Sequence, residues 1–446
     1  MASYLDALKT IVKDPLASSA LELGHAICSK QVSSLELTEA FLGRIGDVNP
    51  QLNALCHIAE ETARRLARAA DEELARGVRR SPLHGVPFTV KDWIEVADMP
   101  CIAGDERYRT YVPSHNATTV SRLLDAGCVL LGKTTVGDDS SVYGRVSNPY
   151  RLSCTPGGSS SGEAAIIAAS GSPFGLGSDS GGSIREPAHL CGIAGLRPTT
   201  GRIPITGHLP RINTFVDPRT VIGPMARFVD DLTAILPILS GVDWRDPSVV
   251  PMPVGDPSRV NCASLRGAFY TNYASQEPSA DGGAIALRAA RFLDGAGIRM
   301  TERWPSRLDE VLGITHEYWS RAGSEGLADE WQPDGCGKLT GVEVERHLWQ
   351  WDRFRRTLIA FMEEFDFIVT PVSDYAAREH GRTGGAPYCL PYSLAGAPCV
   401  VVRAGTSSDG LPVGVQVVAR PWREDVALAV AKMIEAQFGG WTRPTI

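Results

Sequence analysis

The chain has 446 residues, carries a formal net charge of −7 and contains 43% hydrophobic and 21% charged residues. This composition is typical of a globular protein with a large core, without the basic excess of a nucleic-acid-binding protein. No apolar run approaches the ~18 residues of a membrane span, and the start of the chain lacks the apolar segment of a signal peptide. The ten cysteines form no CxxC pairs. We therefore expect a cytoplasmic protein with reduced thiols that acts on a small molecule, without nucleic-acid or membrane partners.

The first predicted elements are two helices and a strand. Ser33 and Glu36 form the S-x-x-E pattern of a capping box, and apolar residues follow at helical spacing. Residues 51–77 continue that period and predict a second amphipathic helix. The apolar residues Phe88 and Val90 predict a buried strand that ends at Lys91. A lysine there either extends to water or sits in a site that lowers its pKa, and position alone favours the first.

Residues 127–134, GCVLLGKT, match the phosphate-binding pattern G-x-x-x-x-G-K-[ST], with Lys133 as its lysine. Their surroundings argue against a nucleotide site. Residues 118–126 predict a helix capped by Gly127, and residues 128–131 predict a strand. A phosphate loop needs the strand before its first glycine, so we expect no nucleotide here.

Two turns rich in glycine and serine dominate residues 157–197. The first, GGSSSGE at 157–163, leads into an Ala/Ile run of helical composition. The second, GSDSGGSIR at 177–185, follows an apolar strand at 173–176, and its glycines allow a ligand to approach the backbone closely. A helix and a strand separate Ser159 from Ser183, so the two turns can meet in space. A flexible linker would not enclose the apolar run AAIIAAS.

Residues 158–162 also fit G-x-S-x-G, the nucleophile elbow of α/β-hydrolases, with Ser160 as the nucleophile. That fold needs an acid and then a histidine downstream, for which Asp366 and His380 form only a loose pair. No histidine is placed convincingly for a base, and His84 is better explained as a turn residue. A lysine can replace the histidine, because burial disfavours its charged form. The α/β-hydrolase interpretation stays open at this point.

Lys91, Ser159 and Ser183 stand in motifs that together resemble the amidase signature family. The motifs are VKD at 90–92, TPGGSSSGE at 155–163, GSDSGGSIR at 177–185, CGIAGLRPTTGR at 191–202, GPMAR at 223–227, LAGAP at 394–398 and GLPVGVQ at 410–416. These matches span most of the chain. The resemblance implies an α/β fold with one large domain, in which a mixed central β-sheet is sandwiched between helices. It implies no metal and no organic cofactor.

The resemblance also implies roles for the motif residues. Ser183 would be the nucleophile, Ser159 a bridging serine that passes its proton, and Lys91 the base behind it. The peptide bond before the bridging serine would be cis, at a cost of ~2.5–4 kcal/mol for a non-proline bond. Backbone N–H groups would bind the oxyanion, namely those of Ser180, Gly181, Gly182 and Ser183. The supporting side chains would be Asp92, Ser160, Asp179 and Arg185.

The chain departs from the family pattern at several positions. Trp93 replaces a commoner asparagine directly after VKD, and Glu186 is unusual after the second turn. Both changes affect the shape of the predicted pocket, and we take Trp93 as a candidate substrate-binding residue. The other departures are Ser180, which contributes only its backbone, His189 and Arg197.

We expect residues 1–446 to form one domain. In it, residues 1–80 are N-terminal helices, 81–235 carry the catalytic motifs, 251–365 are a variable region that could cover the pocket, and 366–446 return to the core. Strands are predicted at 365–371 and 398–403, and a terminal helix at 423–438. Aromatic residues of the variable region either pack in the core or form a wall over a pocket. They are Trp304, Tyr318, Trp319, Trp331, Trp349 and Trp351.

The function implied by the resemblance is hydrolysis of an amide or related acyl bond through a seryl acyl-enzyme. The aromatic residues favour an apolar or aromatic small molecule, such as an amide, anilide, ester or carbamate, acted on by a monomer or homo-oligomer. The alternative is the glutaminase subunit of a tRNA-dependent amidotransferase, which shares these motifs and works with partner proteins. A protein that only binds a ligand is disfavoured, because both serines and the lysine are present.

Overall fold

The structure is a computed structural model that describes residues 14–137, 139–212, 217, 219–273, 276–319, 324–325, 331–332, 339–376, 378–381 and 386–446. The strands are β1 Leu55–Ile58, β2 Pro87–Lys91, β3 Val129–Thr134, β4 Asp139–Ser140, β5 Gly144–Arg145, β6 Phe174–Asp179, β7 Ala194–Arg197, β8 Val221–Ala226, β9 Arg266–Phe269, β10 Arg299–Glu302, β11 Ser324–Glu325, β12 Trp331–Gln332, β13 Phe367–Pro371, β14 Cys399–Thr406 and β15 Pro412–Ala419. The α-helices are α1 Ala20–Cys28, α2 Ser34–Leu52, α3 Glu60–Ala75, α4 Thr118–Asp125, α5 Ser161–Ala168, α6 Arg185–Leu190, α7 Val229–Leu239, α8 Ala280–Gly295, α9 Val311–Trp319, α10 Gly341–Glu364, α11 Leu390–Ala395 and α12 Glu424–Phe438. Short 3₁₀ helices lie at Glu106–Tyr108, Pro257–Arg259, Cys262–Ser264 and Leu308–Glu310.

One sheet joins eleven of these strands in the order β1-β3-β2-β6-β8-β7-β14-β15-β13-β9-β10. Its strands run in both directions: β2 is parallel to β3 and β6, whereas β8 is antiparallel to β6 and β7. Near the other edge, β13 is parallel to β9 and antiparallel to β15. This single-domain arrangement, a large mixed sheet flanked by helices, confirms the predicted fold class. No helix within the described ranges has both the length and the apolar character of a membrane span.

The N-terminal helices follow the sequence pattern only in part. Ser33 Oγ accepts the Glu36 N–H at 3.1 Å and the Glu36 carboxylate accepts the Ser33 N–H at 2.8 Å, which confirms the capping box. The helix predicted for residues 51–77 is wrong in its first part. Asn53 ends α2 in a left-handed conformation, with φ of 51°, and the next residues form β1 on the edge of the sheet. Pairing with β3 satisfies backbone groups that the local pattern assigned to a helix.

Buried apolar residues form two clusters. The larger includes side chains of β2, β3, β6, β14 and β15. The smaller contains Trp351, Tyr270 and Tyr392, and it lies where α10 meets α11. Trp351 is 3% exposed, and its Nε1 donates to Leu394 O at 2.8 Å. This tryptophan therefore stabilises the core.

Part of the variable region 251–365 belongs to the main sheet. Two of its strands, β9 and β10, extend the main sheet beside β13, so this part is not a pocket cover. Trp304 and Trp349 are 49% and 63% exposed. Trp351 packs in the core, so it is not part of an aromatic wall, whereas a role for Trp304 and Trp349 beside a pocket stays a prediction. The side chains of Tyr318, Trp319 and Trp331 lie outside the described residues.

Parallel pairing brings the two glycine-rich turns together at the carboxyl ends of neighbouring parallel strands. Strand β2 ends at Lys91 and its parallel neighbour β6 ends at Asp179. Helix α5 runs back from these ends to the start of β6, so Ser159, just before α5, returns close to Ser183, just after β6. The carboxyl ends of parallel strands are where ligands commonly bind in α/β sheets.

Candidate active site

Lys91 lies at the centre of the site. Its side chain is 0% exposed, and its Nζ lies 2.5 Å from Ser159 Oγ and 2.9 Å from Ser178 Oγ. A longer contact of 3.4 Å reaches Ser178 O. Every hydrogen-bond partner of this amine in the described structure is a hydroxyl or a carbonyl, and none is a carboxylate. The alternative in which Lys91 extends to water is therefore wrong.

The surroundings of Lys91 favour a neutral amine. Burial lowers the pKa of Lys91 well below its ordinary value, and the negative charges of Asp179 and Glu163 oppose this only in part. The neighbouring Lys133 differs. Burial would lower its pKa too, but Cys101 and Asp92 raise it above the ordinary value. Only one of the two buried lysines is therefore suited to accept a proton.

Ser159 and Ser183 lie side by side and are both partly exposed. The Ser159 N–H donates to Ser183 Oγ at 3.2 Å, whereas Ser159 Oγ faces Lys91. The two hydroxyls are not hydrogen-bonded to each other. The one cis peptide bond in the described ranges is Leu209–Pro210. The cis bond expected before Ser159 is therefore wrong, because the bond from Gly158 is trans.

Three backbone N–H groups beside Ser183 have no acceptor within the described part of the chain, namely those of Ser180, Gly181 and Ser183. The fourth predicted donor is wrong: the Gly182 N–H donates to Asp179 Oδ1 at 2.8 Å. Gly182 instead supplies the turn with a φ of +133°, which an L side chain rarely adopts. The three remaining groups can stabilise the negative oxygen that forms on a carbonyl group when a hydroxyl at Ser183 attacks it.

Asp179 and Arg185 hold this turn in place. Both side chains are fully buried, with Arg185 Nε 2.9 Å from Asp179 Oδ2, and the same carboxylate oxygen accepts the Ile184 N–H at 3.2 Å. Burial alone would raise the pKa of Asp179, but the Arg185 guanidinium brings it down to about 2. The turn therefore contains a permanently charged pair.

Asp92 and Ser160 lie behind the site. Asp92 pairs with Lys133 at 2.7 Å and accepts the Tyr143 hydroxyl at 2.5 Å. Ser160 is 0% exposed, and its Oγ donates to Ser178 O at 3.2 Å and accepts the Ser178 N–H at 3.3 Å. A hydroxyl held in this way cannot meet a substrate from solvent.

The buried Ser160 hydroxyl contradicts the α/β-hydrolase interpretation, and the positions of the predicted acid and histidine are a second reason against it. Asp366 pairs with Arg420 at 3.1 Å, whereas His380 Nε2 lies 3.3 Å from Leu152 O. The predicted acid and histidine thus have separate partners and do not form a pair with Ser160.

The GCVLLGKT segment has the context predicted for it. Helix α4 ends just before Gly127, which has a φ of +86°, and β3 follows. Lys133 Nζ is turned inward, where it also donates to Pro100 O at 3.0 Å. A phosphate-binding lysine would need to face the ligand.

Sequence reasoning missed the role of Glu163, a carboxylate near the catalytic motifs, and noted Glu186 only as a departure from the family pattern. Glu163 accepts the hydroxyls of Thr89 and Thr134, the second at 2.9 Å, and burial raises its pKa to about 7. The sequence signal for Glu163 was an acidic residue directly before the Ala/Ile run. Glu186 accepts the Gly158 N–H at 3.0 Å and the Tyr375 hydroxyl.

Two apolar side chains, both partly exposed, border the site. The Trp93 ring centroid lies 4.1 Å from Lys91 Nζ. Leu390, at the start of α11, lies 3.3 Å from the position that a Cβ on Gly181 would take. In the segment before it, Ala386 and Cys389 lie 3.0 Å from the position that a Cβ on Gly182 would take. The space in front of Ser183 therefore has apolar borders.

One group of side chains in the described structure has the spacing of metal ligands. Atoms of Cys56, His57 and Asp92 lie within 4.8 Å of one another. The Asp92 carboxylate already binds the Lys133 ammonium and the Tyr143 hydroxyl. A positive charge at this position disfavours a cation.

Comparisons with known proteins show the family to which the chain belongs. A sequence model of the Amidase family matches residues 36–346 and 343–428. The chain is 34% identical to a subunit of the glutamyl-tRNA(Gln) amidotransferase of Chloroflexus aggregans, over 91% of this chain and 93% of that protein. It is 31% identical to an acylamidase of Rhodococcus erythropolis, over 94% and 95%. The native peptide amidase of Stenotrophomonas maltophilia has a similar structure, with a TM-score of 0.79, 26% identity and coverage of 96% and 98%. The chain therefore belongs to the amidase family, the amidase signature enzymes, and is a hydrolase of amide bonds.

Proposed function

We propose that the protein cleaves its substrate through an acyl-enzyme on Ser183, with Lys91 as the base and Ser159 as the proton carrier between them. The observation that carries this proposal is the 2.5 Å contact between Lys91 Nζ and Ser159 Oγ, made by a fully buried amine. A neutral amine in this position can accept a proton, because burial disfavours its ammonium form.

The reaction then proceeds in two steps, acylation of Ser183 and hydrolysis of the acyl-enzyme. Ser159 gives its proton to Lys91 and takes one from Ser183, while Ser183 Oγ attacks the carbonyl carbon. The Lys91 ammonium returns its proton through Ser159 to the leaving nitrogen or oxygen, and the carbonyl–heteroatom bond breaks. Water then gives one proton through Ser159 to Lys91 and attacks the acyl-enzyme, and Lys91 returns that proton through Ser159 to Ser183 Oγ as the acid leaves.

The negative oxygen of the intermediate would be bound by the backbone N–H groups of Ser180, Gly181 and Ser183. Their lack of acceptors within the described residues supports this role. Losing one such donor typically costs about 10²–10³-fold in kcat. The Gly182 N–H serves a different purpose here, because it fixes the Asp179 carboxylate.

For the substrate, we infer an apolar or aromatic small molecule, cleaved at an amide, anilide, ester or carbamate bond. Support comes from Trp93 and Leu390 at the borders of the site. The acylamidase among the relatives is a further argument for a free-standing enzyme. Burying a side group of Leu or Phe size stabilises a complex by about 1.5–3 kcal/mol, which would favour such substrates over glutamine.

The second candidate is the glutaminase component of a tRNA-dependent amidotransferase. The 34% identity to one component of such an enzyme, over 91% of this chain, favours it. In that case the protein would act on glutamine, in complex with partner proteins. A free-standing enzyme, as a monomer or homo-oligomer, would not need them.

A substrate screen distinguishes the two candidates. The purified chain is assayed with 4-nitroacetanilide, a longer-chain anilide, an aryl ester, a carbamate and glutamine, with Ser183→Ala as the blank. We expect the longer-chain anilide or the ester to have the highest kcat/KM. Fastest turnover of glutamine, or glutamine hydrolysis only with co-purifying partner proteins, would contradict the apolar-substrate proposal.

We further infer a reducing compartment such as the cytoplasm. In the ranges that the structure describes, the nine cysteines are all free. Free thiols, several of them buried, are usual where disulfides do not form. Non-reducing mass spectrometry of the protein from its native cells would detect any disulfide that contradicts this.

A further inference from the structure

The Trp93 indole forms one wall of the space around the Lys91 amine. Its ring centroid lies 4.1 Å from Lys91 Nζ, which places the amine over the aromatic face. The ring is fixed from two sides. Nε1 donates to Ala103 O at 2.9 Å, and the ring meets His208 in an edge arrangement, with centroids 5.7 Å apart and planes at 85°.

The exposures of these residues show which of them faces solvent. Lys91 is 0% exposed and His208 is 2% exposed, whereas Trp93 is partly exposed. The hydroxyls of Ser159 and Ser178 contact the amine from other directions. The indole therefore covers one side of a completely buried amine and is itself partly open to solvent.

We propose that Trp93 is a positioning residue that keeps water away from Lys91 Nζ and holds the amine against Ser159 Oγ. This inference rests on the proposed function, since it needs Lys91 to be the base. It also gives Trp93 a role that differs from substrate binding alone, and the two roles predict different kinetics.

Few other groups near Lys91 change charge in the range where the enzyme would work. Asp179, at the end of β6, has a pKa of about 2, and burial together with Lys91 lowers the pKa of His208 to about 3. Asp92, which stands between Lys91 and Trp93 in the chain, is paired with Lys133 at 2.7 Å. Glu163 on α5 is the exception, because burial raises its pKa to about 7. Variants of Trp93 leave all of these groups in place.

The indole acts on the base in two opposite ways. Its bulk excludes water, which disfavours the ammonium form of Lys91, and its π face favours that form. Trp93→Asn removes both effects and admits water. Trp93→Leu keeps an apolar cover and loses the π face. Trp93→Phe keeps a smaller apolar cover and a smaller π face.

The experiment measures kcat/KM for the best anilide and the rate of Ser183 labelling by a small fluorophosphonate, each as a function of pH. In Trp93→Asn we expect the acid limb of both profiles to move to higher pH by about one pH unit or more. In Trp93→Leu the limb should stay or move to lower pH, and Trp93→Phe should resemble the wild type. Trp244→Asn, at a 92% exposed ring, is the matched control.

The labelling assay separates the two roles, since the small probe has no part that needs an aromatic pocket. Unchanged labelling profiles in all three variants, with only a raised KM for the anilide, would overturn the proposal. If Trp93→Asn does not fold, Trp93→Ala takes its place: it also removes the apolar cover and the π face, and the same shift of the acid limb to higher pH is expected. Failure of the proposed function looks different: Lys91→Ala would then keep the wild-type labelling profile.

Discussion

Lys133 Nζ lies 2.7 Å from Asp92 Oδ1, and both side chains are 0% exposed. This ion pair lies one strand away from Lys91, at the same edge of the sheet. Two buried lysines thus occupy neighbouring positions with different partners. Lys133 has a carboxylate and is held as an ammonium, whereas Lys91 has only hydroxyls and a carbonyl. This difference explains why the lysine of the phosphate-loop-like segment is structural.

The first prediction concerns the stability of this pair. Replacing Lys133 by Met leaves the Asp92 carboxylate buried without its cation, and we expect a loss of about 3–5 kcal/mol in the free energy of unfolding. Urea denaturation at neutral pH measures the loss. Arg107→Met is the matched control, because Arg107 pairs with Asp105 at exposures of 67% and 33%. Breaking that exposed pair should cost at most about 1 kcal/mol, and equal losses in both variants would contradict this prediction.

The second prediction identifies the nucleophile. Ser183→Ala should lower kcat/KM by several orders of magnitude and abolish labelling by a fluorophosphonate, since the proposed acyl-enzyme forms on the Ser183 hydroxyl. Ser160→Ala should still be labelled, because the Ser160 hydroxyl is buried against Ser178. Peptide mapping of the labelled wild type checks both statements. A label on Ser160 would restore the α/β-hydrolase interpretation.

The third prediction is an alkaline-leaning pH profile. Lys91 accepts a proton only as a neutral amine, so kcat/KM should rise with pH as its ammonium form is lost. Burial lowers its pKa, and the limb should therefore lie well below the ordinary value of 10.5. Lys91→Arg, which stays charged, should be inactive at every pH tested. Lys432→Arg, 57% exposed, is the control, and near-wild-type activity of Lys91→Ala would end the proposal.

The fourth prediction concerns Glu163 and stability. Burial raises its pKa from 4.5 to about 7, so the folded state favours the protonated carboxyl. A group with a raised folded-state pKa contributes stability that is complete below pH 4.5 and is lost as pH rises towards about 7. The pKa difference corresponds to about 3 kcal/mol. Glu163→Gln keeps a neutral side chain and should therefore be more stable than the wild type at pH 8, and equally stable at low pH.

Urea denaturation of both proteins across this range tests the Glu163 prediction. The difference between the two curves isolates Glu163 from other titrating groups. Glu60→Gln, at a 56% exposed side chain, should follow the wild type. A constant difference between Glu163→Gln and the wild type at all pH values would show that burial of the charge is not the cause.

Local patterns were sufficient for helices, whose hydrogen bonds close within a short stretch, and for a strand marked by its buried apolar residues. The capping box at Ser33, the helix before Gly127 and the strand ending at Lys91 all lie where the sequence predicted them. The pattern failed at residues 53–59, where the backbone pairs with β3, a strand more than seventy residues away. No local signal marks such a pairing, because its stabilisation comes from the partner strand.

The sequence by itself determined which residues carry the candidate chemistry. Ser159 and Ser183 were identifiable because they stand in glycine-rich turns between apolar segments, and Lys91 because it ends an apolar strand. The motifs of all three also resemble a family. Only the tertiary structure decided how these residues are arranged. It turned the Gly182 N–H towards Asp179 and placed the Trp93 ring over the amine. Such contacts depend on the register of β2 against β6 and on burial by distant segments, and neither quantity is encoded in the spacing of one motif.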